Sequence, residues 1–184
     1  MNLEFKRHST ETLHEFLEFF DHRAFVEYPD WSGCYCQHYL TPAIEHGGPA
    51  DTAEGNRELA CSRTESGEMQ GYLAYKDQKL VAWCAAGSAE LYPDFPESKE
   101  KLARILCFVV DPEHRGVGVS SSLLDFIIQD FKERGFEAIE AYPKYSAPDS
   151  ALSYRGTQSM YLKRGFETVG PLNEHMLTMR KYLS

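Results

Sequence analysis

The sequence contains no long hydrophobic run, and it has few basic residues for its number of acidic ones. A membrane-spanning helix needs about 20 consecutive apolar residues, so we predict none, and residues 1–6 lack the apolar core of a signal peptide. We therefore expect a cytoplasmic protein. With 19 basic and 28 acidic residues the formal net charge is −9, which disfavours binding to nucleic acid or to an anionic membrane.

Cysteine is also scarce, with five residues in 184, and an odd number in a chain of this size indicates reduced thiols rather than a disulfide framework. Cys84 and Cys107 lie in apolar segments, so we expect both in the core. Cys34, Cys36 and His38 would face the same way in an extended segment, which could form one corner of a metal site. Because no second Cys/His pair stands at a zinc-site spacing, we expect no bound metal there and a partly buried segment that lines a pocket or packs on the sheet.

Length and composition are those of one globular domain, spanning residues 1–184, with 42% hydrophobic and 26% charged residues. Hydrophobic patterning predicts strands at residues 3–8, 69–75, 80–86, 105–110, 136–142, 166–169 and 175–182. Helical spacing predicts helices after the caps Thr10 and Asp51, at residues 123–131 and at residues 157–164. This order indicates a mixed α/β layer structure.

Two irregular segments separate these elements. Residues 31–50 are aromatic but rich in turn residues, and a loop of this length in a compact domain is usually functional. Residues 90–97 carry Glu90, Asp94 and Glu97, whose carboxylates would favour an amine or would simply be solvated. We expect both segments to shape the choice of a substrate.

Residues 105–131 form the most informative stretch: an apolar run, a turn with a basic residue and two glycines, and then an amphipathic pattern. The run 105–110 has no polar alternation, as expected of a strand buried on both faces. Gly116 and Gly118 lack a Cβ atom, so backbone N–H groups there can point outward toward a bulky group. The start of a helix attracts anions, and Arg115 can grip phosphate in two places. The stretch predicts a pyrophosphate site, although an ordinary glycine-containing turn would give the same pattern.

Two other anion-binding turns fit this stretch less well. A P-loop requires a lysine that residues 118–120 lack. Gly116, Gly118 and Ser121 approximate a dinucleotide-binding fingerprint, with an acidic residue about 20 positions later. However, four residues, 112–115, separate the strand from the first glycine, and the unit begins too late in the chain to complete a doubly wound sheet.

The same stretch resembles the GNAT acyltransferases, whose motif Gln/Arg-x-x-Gly-x-Gly/Ala follows the fourth strand. It reads Arg115-Gly116-Val117-Gly118-Val119-Ser120 here, with serine at the last small position. Residues 108–112 are similar to that family's strand end, and residues 160–166 resemble its Tyr-x-x-x-Gly-Phe helix and strand. The resemblance covers nearly the whole chain, and residues 34–36 and 81–84 also resemble an uncharacterised bacterial subgroup of the family.

The resemblance implies the GNAT fold, with a central mixed, mostly antiparallel sheet of about seven strands flanked by about four helices. It also implies acetyl-CoA as a cosubstrate and no metal. The pyrophosphate would lie on the N–H groups of residues 116–121, and the pantetheine would pair with the central strand, where an N–H near Val110 would polarise the acetyl carbonyl. The implied donor-binding residues are Phe108, Val109, Val110, Arg115, Gly116, Val117, Gly118, Val119, Ser120 and Ser121.

The catalytic groups are less clearly indicated. The resemblance implies that Tyr161 is the general acid for the leaving CoA thiolate, with a packing aromatic as the alternative. A base must make the amine neutral before it can attack. Glu90, His38, Tyr142 and His175 are candidates, and a bound water relay is another.

We therefore expect an acetyl-CoA-dependent N-acetyltransferase, an acyltransferase that transfers groups other than amino-acyl groups. Its acceptor would be a primary amine of a small molecule or peptide that attacks directly in a ternary complex, and the protein would be a monomer or homodimer. A non-catalytic acyl-CoA-binding or sensor module with the same fold stays open, because the central strand carries no carboxylate. A nicotinamide-binding protein is a more distant alternative. No motif identifies the acceptor.

Overall fold

The computed structural model describes residues 2–48, 51–145 and 153–183. Its strands are β1 (Glu4–Arg7), β2 (Gly71–Lys76), β3 (Lys79–Ser88), β4 (Leu102–Val110), β5 (Ala138–Ala141), β6 (Glu167–Pro171) and β7 (Leu177–Tyr182). They form one sheet in the order β1-β2-β3-β4-β5-β7-β6. Neighbouring strands are antiparallel except for β4 and β5, which are parallel. The predicted mixed α/β fold is confirmed.

Helices cover both faces of the sheet. Those in the described part of the chain are α1 (Leu13–His22), α2 (Ala53–Ser66), α3 (Val119–Glu133) and α4 (Gln158–Leu162). The helices α1 and α2 pack on one face, and α3 and α4 on the other. Within the same residues, no helix has the length and apolar character needed to cross a bilayer.

The predicted helix caps are wrong by one residue at both positions. Ser9, rather than Thr10, caps the 3-10 turn that leads into α1. Thr52, rather than Asp51, caps α2, because its hydroxyl oxygen accepts a backbone N–H of the first turn. The Asp51 carboxylate instead accepts the N–H of Gly47 at 2.8 Å, so it serves the preceding loop.

Large aromatic side chains fill the core on both faces of the sheet. Trp83 is fully buried on the α1 face, where its ring meets Phe16 edge-on at 4.7 Å. Tyr72 is buried on the α3 face, and its hydroxyl donates to Asp130 at 2.7 Å. Burying side chains of this size contributes roughly 1.5–3 kcal/mol each, so these contacts fix the sheet between its two helical layers.

Strands β4 and β5 separate in the middle of the sheet, because only the first part of β4 pairs with β5. The parallel pairing joins residues 102–105 to residues 138–141, and β4 then continues to Val110 beside β3. A β-bulge leaves Leu106 without a partner in β3, between the pairs made by Ile105 and Cys107. Beyond residue 105, the edge of β4 that faces away from β3 pairs with no other strand and can therefore line a cleft.

Candidate functional site

A cleft of about 1040 Å³ opens along the free edge of β4. Residues 107–110 and the following turn line one side of it, and the segment 24–39 with the start of α2 lines the other. Lys144, Ser153 and Tyr154 complete the lining. Small-molecule sites measure roughly 300–1,000 Å³, so the cleft has room for a cofactor-sized ligand.

The predicted donor-binding residues line this cleft, with the exception of Val117, whose side chain is 59% exposed. Gly116 and Gly118 have φ angles of +74° and +90°, and no atom lies within 4 Å of a Cβ built at either position. Gly118 is also the N-cap of α3 and offers no capping side chain. Backbone N–H groups at residues 119–121 thus lack a side-chain cap at the cleft wall, which fits an anion.

A buried carboxylate anchors the turn between β4 and α3. Asp111 accepts the backbone N–H of Glu113 at 3.1 Å and pairs with Arg23 at 3.2 Å. Arg23 in turn donates to the carbonyl of Leu80 at 2.7 Å. The pairing offsets the cost of burying Asp111 and fixes the turn against β3 and α1.

Arg115 does not point freely into the cleft. Its Nε donates to the Val110 carbonyl at 3.2 Å, and its Nη1 pairs with the carboxylate of Glu27. Glu27 is about half exposed, and exposed ion pairs contribute roughly 0–1 kcal/mol. A phosphate group can therefore displace Glu27 at small cost.

The free edge of β4 already has one hydrogen-bond partner. The Phe108 N–H donates to the Tyr154 carbonyl at 2.5 Å, away from β3. The turn around Tyr154 is closed by the Gly156 N–H, which donates to the Ser153 carbonyl at 2.8 Å. The predicted strand-like pairing of the donor at Phe108 would have to replace Tyr154.

The wall opposite β4 is aromatic. Tyr28 and Trp31 stack with centroids 4.6 Å apart, and Trp31 meets Tyr154 edge-on at 6.4 Å. The Lys144 ammonium lies 4.7 Å from the centre of the Tyr154 ring. Flat aromatic faces of this kind accept apolar groups and cations.

Tyr161 lies beneath the sheet rather than at the cleft. Its side chain is 0% exposed, is not among the lining residues, and its hydroxyl donates to the Arg155 carbonyl at 2.7 Å. Burial raises the pKa of this phenol well above its ordinary value. A Cβ at Gly156 would lie 2.8 Å from the hydroxyl oxygen, so this glycine leaves room for the tyrosine. The role of Tyr161 as general acid stays a prediction.

His38 is the candidate base that the structure places at the cleft. Its ring stacks on His46 with centroids 4.3 Å apart. Partial desolvation, followed by the nearby charges of His46 and Arg155, lowers the pKa of His38. The imidazole is therefore neutral near pH 7 and can accept a proton.

The other predicted base candidates lie away from the cleft lining. Tyr142 is buried, and its hydroxyl donates to Glu140 at 2.6 Å while burial raises its pKa. Glu90 and His175 are exposed.

The acidic loop at residues 90–97 lies outside the cleft lining. Glu90, Asp94 and Glu97 are all exposed, and the Asp94 carboxylate accepts the backbone N–H of Ala43 at 3.0 Å. The loop therefore supports the chain at Ala43, and residues between 31 and 39 of the preceding segment line the cleft.

The structure differs from two expectations, one about the burial of Cys107 and one about the backbone conformation at Cys34 and Cys36. Cys84 is buried in the core as predicted, but Cys107 is partly exposed and lines the cleft, because the bulge at Leu106 changes the direction of the strand. Cys34 and Cys36 do not lie in an extended segment. Among the described residues, no three His, Cys, Asp or Glu side chains are grouped so as to hold a metal ion.

Sequence patterns did not identify Glu27, Lys144 or Tyr154 as part of the site. Each stands in a segment without periodicity, and each becomes a site residue through contact with a distant element. The aromatic content of the segment after α1 was the one available signal for that wall of the cleft.

Comparisons with known proteins show the family and the fold of the chain. The sequence profile of the Acetyltransferase (GNAT) family matches residues 17–166, whereas a comparison with curated proteins found no significant match. The N-acetyltransferase from Staphylococcus aureus Mu50 is 15% identical with a TM-score of 0.60, and each chain is 100% covered. The PaiA N-acetyltransferase from Thermoplasma acidophilum, solved in complex with coenzyme A, is 18% identical with a TM-score of 0.58 and 99% coverage of both chains.

A third similar structure is the ribosomal-protein-S18-alanine N-acetyltransferase from Escherichia coli, at 13% identity and a TM-score of 0.56, with 100% of this chain and 95% of that chain covered. At these identities the structural likeness establishes the fold, and the profile match covers most of the sequence. The chain belongs to the GNAT acetyltransferase family.

Proposed function

We propose that the protein is an acetyl-CoA-dependent N-acetyltransferase that acts on a primary amine of a small molecule or peptide. The main observation in support of this proposal is one continuous cleft, which joins the free edge of β4 to the glycine turn and to the uncapped start of α3. The similar PaiA structure contains coenzyme A, which supports the same donor here. The amine attacks directly while both substrates are bound.

The donor contributes an acetyl thioester, and the chain holds it in place. The N–H groups of residues 116–121 receive the pyrophosphate, and Arg115 exchanges Glu27 for a phosphate oxygen. Phe108 and Val110 pair with the pantetheine through backbone groups once Tyr154 has moved aside. The Val110 N–H polarises the carbonyl of the acetyl group.

The acceptor amine must lose a proton to attack, and His38 is the base we propose. It lines the cleft, and its lowered pKa keeps it neutral near pH 7. The aromatic wall formed by Tyr28, Trp31 and Tyr154 would orient the acceptor. Tyr161 would protonate the departing thiolate after its hydroxyl has left the Arg155 carbonyl.

The experiment is an amine panel with acetyl-CoA and a thiol reagent that reports free CoA. We expect CoA release in many equivalents per protein with at least one amine, and an acetylated product of that amine by mass spectrometry. Failure of every amine to raise CoA release, together with confirmed CoA binding by calorimetry, would contradict catalysis.

That result would favour the second candidate, an acyl-CoA-binding sensor with no turnover. The observation in favour of a sensor is the Tyr161 hydroxyl, which is bound to Arg155 rather than placed at the cleft. A sensor would bind acetyl-CoA with a shift in melting temperature, and no amine would change the CoA release. Failure to bind CoA at all would contradict both candidates.

A further inference from the structure

Three cysteine side chains meet at the wall of the cleft, and the proposed amine transfer makes no use of them. Cys34 and Cys36 come from the segment after α1, and Cys107 comes from β4. All three are free thiols; Cys36 is buried, whereas Cys34 and Cys107 are partly exposed. Cys107 directly precedes Phe108, so the cluster lies beside the strand that we assign to the pantetheine.

The backbone around these thiols adopts a costly conformation. Tyr35 and Cys36 have φ angles of 41° and 54°, in the left-handed region that side chains other than glycine avoid. The Tyr35 hydroxyl donates to Asp21 at 2.5 Å, and the Trp83 indole N–H donates to the Cys36 sulfur at 3.2 Å. Strain of this kind persists where the surroundings hold it, and it is concentrated at functional sites.

Hydrogen bonds give the two neighbouring thiols different acidity. The Cys36 thiol, together with backbone N–H groups of residues 36–38, lowers the pKa of Cys34 to about 7 against the opposing effect of burial. Contacts with Cys107 and Cys34, and burial, raise the pKa of Cys36. Cys36 therefore stays a protonated donor, and Cys34 is the thiol with a substantial thiolate fraction near neutral pH.

We propose that Cys34 is a second acyl acceptor of this cleft, which takes the acetyl group from acetyl-CoA when no amine is bound. Its thiolate, having lost its proton to solvent, attacks the acetyl carbonyl. A C–S bond to Cys34 forms and the C–S bond to CoA breaks, so that CoA leaves as a thiolate and takes a proton from solvent. The products are S-acetyl-Cys34 and free CoA, and the step needs no oxidant or further reactant.

This inference rests on the proposed donor, but it has its own stoichiometry. Self-acetylation stops after one acetyl group per chain, whereas transfer to an amine continues as long as donor and acceptor last. Without amine, a release of CoA that saturates at one equivalent therefore indicates acetylation of Cys34. With amine, continued release of CoA indicates enzymatic transfer to the amine.

The experiment incubates the full chain with acetyl-CoA, a phosphine reductant and no amine, and measures intact mass, peptide mass and released CoA. The variant is Cys34→Ser. The matched control is Cys61→Ser, because Cys61 lies in α2, is partly exposed and is not part of the cleft lining. We expect one hydroxylamine-sensitive acetyl group on Cys34 in the wild type and in Cys61→Ser, and its loss in Cys34→Ser.

Peptide mapping of the wild type keeps the test valid if Cys34→Ser does not fold. An acetyl group on another residue, or none despite CoA binding by calorimetry, would overturn the inference and leave the proposed function standing. Absence of CoA binding would overturn both together.

Discussion

The Tyr161 hydroxyl and the Arg155 carbonyl are joined by a 2.7 Å hydrogen bond in a fully buried environment. The same turn supplies the Tyr154 carbonyl to the N–H of Phe108. Movement of this turn would therefore free the β4 edge and the phenol together. The predicted acid role of Tyr161 requires such a coupled exchange when the donor binds.

We predict that Tyr161→Phe lowers kcat by on the order of a hundredfold, as expected for loss of a general acid, with little change in the Kd of acetyl-CoA. It also leaves the Arg155 carbonyl without its donor, which costs about 1–3 kcal/mol of stability. Steady-state kinetics, calorimetry and thermal unfolding measure the three effects. Tyr72→Phe is the control, because it removes another buried hydroxyl, which donates to Asp130, and neither residue is part of the cleft lining. Equal kcat values for the two variants would end the acid assignment.

A second prediction concerns the glycine turn. Gly118→Ala places a Cβ at a φ of +90°, which costs about 1–2 kcal/mol, and it puts a methyl group where we expect the pyrophosphate. Gly67→Ala is a matched control, since Gly67 has a φ of +80° with nothing within 4 Å of its Cβ position and ends α2. We predict similar losses of stability for the two variants. Only Gly118→Ala should bind CoA roughly tenfold more weakly, a loss of about 1.4 kcal/mol in binding free energy.

Gly118→Asp should weaken CoA binding further, because it adds a negative charge beside the phosphates. Isothermal titration calorimetry with CoA measures these affinities. If Gly118→Ala and Gly118→Asp both bind CoA like the wild type, the pyrophosphate lies elsewhere.

Much of the fold could be predicted because local patterns and tertiary structure agree. The apolar run at residues 105–110 predicts a buried strand, and in the structure it lies in β4, where only Cys107 and Val110 of this run are partly exposed. Gly116 and Gly118 have positive φ angles, which glycine adopts without strain, so these two residues mark the turn in the sequence.

The remaining features depend on which segments meet in space. The bulge at Leu106 turns Cys107 toward the cleft, and no residue pattern encodes a bulge of this kind. Arg115 meets Glu27 across 88 positions of sequence. The Tyr154 carbonyl reaches β4 from a loop that has no periodicity. Such contacts follow from the packing of the sheet, and a single sequence does not reveal them.

A third prediction uses the pair between Arg115 and Glu27. Glu27→Gln removes a carboxylate that competes with phosphate, so we expect CoA to bind more tightly, by up to about fivefold for an exposed pair worth about 1 kcal/mol. Arg115→Ala should weaken binding about tenfold, because it removes a charged hydrogen-bond donor. Calorimetry at low and high salt measures both changes, which should shrink as salt screens the charges.

The control for the charge change is Glu100→Gln. Glu100 also pairs with an arginine, Arg180, but it is not part of the cleft lining. We expect its affinity for CoA to equal that of the wild type. Weaker CoA binding by Glu27→Gln would show that the carboxylate assists the donor rather than competing with it.

The pH dependence of the reaction tests His38. The pKa of this imidazole is lowered from 6.5, and its neutral form is the proposed base, so kcat/KM should be constant near pH 7 and fall as the pH drops through that lowered pKa. His38→Asn should remove this acidic limb and reduce kcat/KM about a hundredfold at pH 7. His175→Asn is the control, since His175 is exposed and not part of the cleft lining. If the fall of kcat/KM at low pH persists unchanged in His38→Asn, the ionising group is a water relay or the amine itself rather than His38.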